Sequence, residues 1–145
     1  MPVWLCSRAQ AAAVLAAIVL TATGCGGKDD LSLVPVEGSV TYRAAPLEHG
    51  TVVFSPREAT PGPQAVGQIQ PEGSFRMQTA GQEGVVAGGK FLVTVHCRQE
   101  PTPEQARDMN FIPQSLIPEK YSKEDQTPLR FEAKEGAHEY PIELE

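Results

Sequence analysis

The residues of this chain that could do nucleophilic chemistry are a cysteine and the histidine beside it, Cys97 and His96. A thiol becomes an effective nucleophile when a base lies within hydrogen-bonding distance of it. The two residues are adjacent in the segment from Phe91 to Cys97, whose alternating apolar positions predict a strand. Neighbouring side chains of a strand point to opposite faces, so we expect Cys97 to be a buried and inert thiol.

The histidines and carboxylates do not form a recognisable catalytic or metal site. His49, His96 and His138 lie in a turn, in a strand and at the start of a strand, without the ligand spacing of a zinc site. Glycosidases use paired carboxylates, and Glu119, Glu124 and Asp125 are candidates for such a pair, but they lie in a proline-rich segment where such groups are usually solvated. We therefore expect no metal, no cofactor other than a covalent lipid, and no enzymatic activity.

Cys25 indicates a covalent modification. It ends the segment Thr21-Ala-Thr-Gly-Cys25, which follows the uncharged apolar residues 11–20 and, before them, Arg8. The order of positive, apolar and small residues is typical of a secretory signal, and the apolar run is shorter than the roughly 20 residues of a spanning helix. The segment resembles the lipobox of bacterial lipoproteins, although Ala22 stands where leucine is commonest. The resemblance implies cleavage before Cys25 and lipidation of its thiol; the alternative is ordinary secretion with Cys25 as a free thiol.

Three regions follow from this interpretation. Residues 1–24 are a lipoprotein signal peptide, residues 25–33 a lipidated flexible tether, and residues 34–145 a single β-sandwich domain on the outside of the cytoplasmic membrane or beyond it. The net charge of −6 becomes −7 when the leader is removed, because Arg8 is the one charged residue of the leader. An acidic domain of this kind does not favour nucleic acid, whose phosphates require lysine and arginine.

Alternation of apolar and polar residues predicts about seven short strands in the mature region. The apolar positions that share strand faces are Val36, Val40 and Tyr42; Val52 and Phe54; Phe75 and Met77; Phe91, Val93 and Val95; Leu129, Phe131 and Ala133; Tyr140, Ile142 and Leu144. A weaker run over residues 64–70 is expected to pair with the Phe75 strand. Turns rich in glycine and proline separate these strands and predict an antiparallel sandwich. Pro141, which lacks an N–H group, should place the last strand at an edge or beside a bulge.

The segment from residue 100 to residue 128 departs from the strand pattern. It is long and proline-rich, and loops of this length in compact domains are usually functional or mobile. Its apolar residues are Phe111, Ile112, Leu116, Ile117 and Tyr121, which we expect to lie against the sandwich as a flap. The loop is also the candidate interaction region, with Phe111, Ile117 and Tyr121 as its contact residues.

The order of several motifs resembles that of a known family. The motifs are Val34-Pro-Val-Glu-Gly-Ser-Val-Thr-Tyr42, Gly50-Thr-Val-Val-Phe54, Pro71-Glu-Gly-Ser-Phe75, Gly89-Lys-Phe-Leu-Val-Thr-Val95 and Ile117-Pro-Glu-Lys-Tyr121. With the lipobox in front, they are similar to the small transthyretin-like, carboxypeptidase-regulatory-like envelope lipoproteins of planctomycete bacteria. The resemblance implies a seven-stranded Greek-key sandwich, of transthyretin-like or immunoglobulin-like type, in the cell envelope. It implies no particular activity.

These observations predict a non-enzymatic, lipid-anchored envelope protein that acts as a structural or protein-interaction module. Its partners would be the membrane, through the lipid, and envelope proteins or polymer. The alternative is a carbohydrate- or peptide-binding module that retains envelope polymer at the membrane surface. Sugar sites present exposed rings, and the loop candidates for that role are Phe111 and Tyr121. We favour the other role for these two residues, which is to anchor the loop on the core.

Overall fold

A computed structural model describes residues 31–145, which form one unit. The predicted signal peptide, the lipidation site at Cys25 and the first part of the predicted tether lie outside the described residues. Leu31 packs against the hydrophobic core and Leu33 is already part of a strand. The folded part therefore includes Leu31 and Leu33, which the sequence predicts to be part of the tether.

The described residues form strands and two short 3-10 helices, without an α-helix. The strands are β1 (Leu33–Val34), β2 (Val36–Tyr42), β3 (Ala45–Pro46), β4 (Thr51–Arg57), β5 (Ala65–Gln68), β6 (Ser74–Thr79), β7 (Gln82–Glu83), β8 (Val85–Val86), β9 (Lys90–His96), β10 (Arg130–Glu132), β11 (His138–Glu139) and β12 (Ile142–Leu144). The 3-10 helices are Gln105–Arg107 and Glu119–Tyr121. The fold is all-β, as the alternating sequence pattern predicts.

One curled sheet carries most of the strands. Its order is β10-β9-β4-β5-β6-β2-β11, with β12 and β3 also paired to β2 and β7 paired to β6. The expected hairpin of residues 64–70 with the Phe75 strand is confirmed, because β5 and β6 pair in antiparallel register with Gly67 opposite Met77. A separate two-stranded antiparallel sheet pairs β1 with β8, with Leu33 opposite Val86.

The longest pairing, between β4 and β9, forms the centre of the core. It runs from Thr51 opposite His96 to Arg57 opposite Lys90. Phe54 is fully buried in this pairing, and its ring lies 5.1 Å from that of Phe131, between ring centroids. Burying a large apolar side chain contributes about 1.5–3 kcal/mol to folding, so the alternating residues of β4 and β9 supply much of the stability.

The direction of β4 distinguishes two ends of the sandwich. We call the end at which β4 finishes and β5 begins, marked by Arg57, the proximal end. The opposite end, marked by Thr51 and His96, is the distal end. Leu31 contacts the region of Gly62, just after β4, so the chain enters the domain at the proximal end.

The last strand differs from the wholly antiparallel arrangement that the sequence predicts. Both β11 and β12 pair in parallel with β2, with His138 opposite Val36 and Ile142 opposite Val40. Residues 140 and 141 interrupt the strand, and it pairs with β2 alone, which agrees with the edge position expected from Pro141. Alternation within the strand does not encode this orientation, because a parallel and an antiparallel strand show the same period of two.

Gly38 lets the last strand approach β2. A Cβ atom at this position would overlap the carbonyl group of Tyr140 and lie 2.9 Å from the ring of Phe75. The Tyr140 N–H group donates a hydrogen bond to the Glu37 carbonyl over 2.9 Å, so the backbone cannot move away without losing that bond. A side chain at position 38 is therefore incompatible with this pairing.

We expect Gly38→Ala to lower the free energy of unfolding by about 2 kcal/mol, because extra volume at a close contact forces the strands apart. Urea denaturation of the full chain measures the change. Ser39→Ala, on the exposed side of the same strand, is the control and should stay within about 0.5 kcal/mol of the wild type. Equal stability of the Gly38→Ala variant would contradict the close approach.

Candidate functional site

Cys97 lies in the hydrophobic core, as the sequence predicts. Its exposed fraction is 1%, and burial raises the pKa of its thiol. A raised pKa reduces the thiolate form that acts as a nucleophile. His96, on the other face of the chain, has a pKa lowered first by burial and then by the charge of Arg98. The sequence therefore assigned the thiol correctly to the core.

The histidine beside the thiol is His49, which sequence spacing did not indicate. Its Nε2 atom lies 3.8 Å from Cys97 Sγ and 2.9 Å from the carbonyl oxygen of Arg98. A carbonyl oxygen only accepts, so Nε2 must carry the proton in this hydrogen bond. A protonated Nε2 has no lone pair with which to remove the thiol proton. The pair therefore lacks the base that a cysteine nucleophile requires.

Glu124 attaches the long loop to the sheet, whereas Glu119 is paired within the loop. Glu124 accepts a short hydrogen bond from Ser55 of β4 and lies 3.7 Å from Arg57 Nη2. Glu119 forms an ion pair with Lys123 over 3.0 Å. Within residues 31–145, the histidine, cysteine and carboxylate side chains form no group of three or more arranged to hold a metal ion. Glu119 and Glu124 therefore have local structural partners, whereas the sequence interpretation expected them to be solvated.

The second half of the long loop covers the free edge of β9. The hydroxyl groups of Ser122 and Thr127 donate hydrogen bonds to the carbonyls of Val95 and Val93, over 3.1 and 2.8 Å. Tyr121 is buried, and its hydroxyl accepts a hydrogen bond from the Glu145 N–H group over 3.2 Å. Side chains thus satisfy edge carbonyls that another strand would otherwise pair with.

The first half of the loop projects from the distal end. A hydrogen bond from Gln99 N–H to the Gln114 carbonyl, over 2.8 Å, closes its base, and we call residues 100–113 the distal excursion. Among the apolar side chains expected to form a flap, Ile117 and Tyr121 are buried, Phe111 is half-buried, and Ile112 and Leu116 are exposed. The flap expectation is therefore wrong for Ile112 and Leu116. Ile112 belongs to the excursion, most of whose residues are exposed, and Leu116 bonds the Cys97 carbonyl through its N–H group while its side chain stays at the surface.

Burial also changes the role of the predicted contact residues. Ile117 and Tyr121 are each 4% exposed, so neither presents a surface to a partner. Their role is the alternative one considered from the sequence, to anchor the loop on the core. Phe111 keeps part of its ring at the surface, next to the fully exposed Met109.

A polar groove lies on one face of the curled sheet. It has a volume of about 970 Å³ and lies on the outward face of β2, β5 and β6. The side chains that define it are Glu37 and Ser39 of β2, Gln64, Val66, Gln68 and Gln70 on and beside β5, and Glu72, Ser74, Arg76 and Gln78 on and beside β6. Glu139 lies at its margin. We call this feature the glutamine groove.

The groove offers carboxamides that the protein does not use itself. Gln64 Nε2 donates to Ser55 Oγ over 3.0 Å, whereas the side chains of Gln68, Gln70 and Gln78 have no protein hydrogen-bond partner among the described residues. Each carboxamide has two donor hydrogens and an acceptor oxygen. The groove can therefore hydrogen-bond a polar ligand through several groups at once.

The groove contains one cationic side chain, which is paired, and more carboxylates than cations. Arg76 Nε lies 3.3 Å from Glu37, so its charge is largely balanced by the groove itself. Ser74 Oγ donates a 2.7 Å hydrogen bond to Glu72, and this bond is the main cause of a lowered pKa for the Glu72 carboxyl group. Glu72 is therefore ionised at neutral pH, and Glu139 adds a further carboxylate at the margin.

Sequence reasoning missed this site because it treated the polar side of each strand as ordinary solvated surface. A signal was present: Gln64, Gln68 and Gln70 recur at even spacing and therefore share one face, with only Val66 between them. Gln78 lies opposite Val66 in the next strand, where cross-strand pairing brings side chains together. Strand alternation together with the β5–β6 hairpin was enough to predict a glutamine-rich face.

Comparison with known proteins does not assign this chain to a family. No family model matches it, and neither a curated protein nor a solved structure does so. Within residues 31–145 there is no helix with the length and apolar character needed to cross a membrane.

Tyr121 should behave as an anchor of the fold. We expect Tyr121→Ala to lower the free energy of unfolding by about 3–5 kcal/mol, because the variant leaves a cavity where the ring was buried. Tyr121→Phe retains the ring and loses one hydrogen bond, so its cost should be about 1 kcal/mol. Thermal unfolding of the two variants checks the difference. Unchanged stability of Tyr121→Ala would show that the ring is not a core residue.

Proposed function

We propose that this chain is a non-enzymatic interaction module of the bacterial cell envelope, held at a membrane by lipid on Cys25. The observation that carries the proposal is the glutamine groove, which presents unused hydrogen-bonding groups on a rigid sheet face. The candidates for catalysis support the non-enzymatic part, because the thiol is buried and Nε2 of His49 is engaged by a carbonyl oxygen.

The lipid anchor is supported by the sequence around Cys25. An apolar run that ends in small residues and Gly24-Cys25 is typical of a lipoprotein signal. The segment between Cys25 and Leu31 could span at most about 22 Å when extended. The proximal end, where Leu31 enters the domain, would then be the end held near the membrane.

A finer description of the fold belongs to the same proposal. We infer a seven-stranded Greek-key sandwich of transthyretin-like type, formed by β2, β4, β5, β6, β9, β10 and the interrupted last strand. The pairing order supports it, because β10, β9, β4 and β5 form one side and β6, β2 and the last strand form the other. The parallel approach of the last strand to β2 also joins the first and last strands of the domain.

The alternative function is retention of a carbohydrate polymer at the membrane surface. The open shape of the groove favours an extended hydrophilic ligand of either kind, glycan or polypeptide. The lining of the groove favours a polypeptide, because Phe75, its one aromatic residue, is only 1% exposed and presents no ring for a sugar to stack on. The protein-interaction role is therefore the better supported of the two.

The anchor is tested by Cys25→Ser. We expect the variant to leave the membrane fraction, because it lacks the thiol to which the lipid is attached. Fractionation of cells after a carbonate wash, with mass spectrometry of the N-terminal peptide, measures the effect. Cys97→Ala is the control and should remain with membranes. If Cys25→Ser still sedimented with washed membranes, the lipid anchor would be ruled out.

The interaction role is tested by photo-cross-linking in intact cells. A benzoylphenylalanine residue in place of Gln68 should form a discrete adduct, since its side chain lies in the groove. The same residue in place of Glu132, which is exposed on β10, is the control and should give none. Mass spectrometry of the purified adduct identifies the partner: a cross-linked peptide supports the protein-interaction role, and a cross-linked sugar supports the alternative. Absence of a groove-specific adduct would refute both.

A further inference from the structure

The shape of the glutamine groove fits one extended chain. Its floor is three strands wide, and adjacent strands are about 4.8 Å apart, so the floor is about 10 Å across. Residues 64–70 run along its length, which corresponds to roughly 20 Å of extended chain. This width and length match a polypeptide segment of about six residues in extended conformation.

The spacing of the carboxamides fits the same kind of ligand. Side chains on one face of a strand repeat every two residues, at about 6.7 Å, and an extended polypeptide repeats its own backbone groups with the same period. Gln68 and Gln70 belong to one row of the groove, and Gln78 belongs to the row beside it. Carboxamides in two rows can donate to carbonyls and accept from N–H groups of a chain lying between them.

The charge of the groove selects the side chains of that ligand. The groove contains three carboxylates, Glu37, Glu72 and Glu139, and one cation, Arg76, which is paired with Glu37. Two carboxylates, Glu72 near the distal end and Glu139 at the margin, remain without a cationic partner among the described residues. An extended chain that carries lysine or arginine would satisfy both.

We propose that the glutamine groove binds an extended, basic polypeptide segment of about six residues, its backbone bonded by Gln68, Gln70 and Gln78 and its cations paired with Glu72 and Glu139. This inference rests on the proposed interaction function and names its ligand. Surface ion pairs contribute little individually, so the binding is weak and sensitive to salt.

The test uses the full chain purified in detergent and two fluorescent octapeptides, one of alternating lysine and serine and one of alternating glutamate and serine. Fluorescence anisotropy should show binding of the basic peptide alone. Binding should weaken strongly between about 0.1 M and 1 M salt, because the screening length falls from about 10 Å to about 3 Å. Equal binding of the acidic peptide would overturn the charge argument.

Variants locate the binding. We expect Glu72→Gln combined with Glu139→Gln to weaken binding about tenfold, as the loss of two exposed ion pairs of about threefold each. Glu100→Gln combined with Glu104→Gln changes the net charge equally on the distal excursion and is the matched control, with a change of no more than about twofold. Gln68→Lys, which keeps both acids, should also abolish binding by placing a cation in the centre of the groove. An equal loss in the control pair would show that binding is not in the groove.

The failure of this inference can be told apart from the failure of the proposed function. If a tetramer of N-acetylglucosamine binds in the groove and the basic peptide does not, the ligand is a glycan and the polypeptide inference is wrong. If neither ligand binds but Gln68 still cross-links to a partner in cells, the interaction role stands and the basic-segment inference falls.

Discussion

The structure depends on the way strand β6 divides its backbone hydrogen bonds. Residues 77–79 pair with β5, whereas residues 74–76 pair with β2, so one strand links the two halves of the curled sheet. Two glycines permit the bend, because a Cβ atom at Gly67 would lie 2.9 Å from the Arg76 carbonyl and one at Gly38 would meet Tyr140. The inner side of the bend closes the core over Phe75 and Met77, and the outer side forms the glutamine groove. Core and candidate site therefore arise from the same change of partner.

The second half of the long loop covers the edge of β9 that β10 leaves unpaired. Strand β10 pairs with only the first part of that edge, at Phe91 and its neighbours. Beyond this part, the hydroxyl groups of Thr127 and Ser122 donate hydrogen bonds to the carbonyls of Val93 and Val95. The Leu116 N–H group donates to the Cys97 carbonyl over 2.9 Å. A proline-rich segment suits this task. Proline has no N–H group, so the segment offers little backbone to a further strand, and side-chain hydroxyls bond the carbonyls of the edge instead. The loop is long since it must follow the strand back from the distal end.

The sequence predicted what depends on local pattern and missed what depends on distant contacts. Alternation located β2, β4, β6 and β9 and placed Cys97 in the core, because side-chain direction follows from neighbouring residues alone. The parallel last strand, the exposure of Ile112 and the contact of His49 with Cys97 each depend on segments far apart in sequence. The glutamine groove depends on both kinds of information. The sequence of each strand shows its own row of polar side chains, but only the pairing of β5 with β6 brings the rows together into one groove.

For the proposed lipid-anchored module, weak binding in the groove would be enough to hold a partner. A shallow polar site with free amides and two unpaired carboxylates gains little from apolar burial, which is the main source of tight association. If the polypeptide partner were attached to the same membrane as the proposed lipid anchor, the high effective concentration would raise the apparent affinity by about a hundredfold or more without new contacts. The groove extends from Gln64 at the proximal end to Gln70 and Glu72 at the distal end, so a membrane-bound partner could reach it along its whole length. An anchored module with a weak, selective groove therefore needs neither a deep pocket nor a catalytic group to hold its partner.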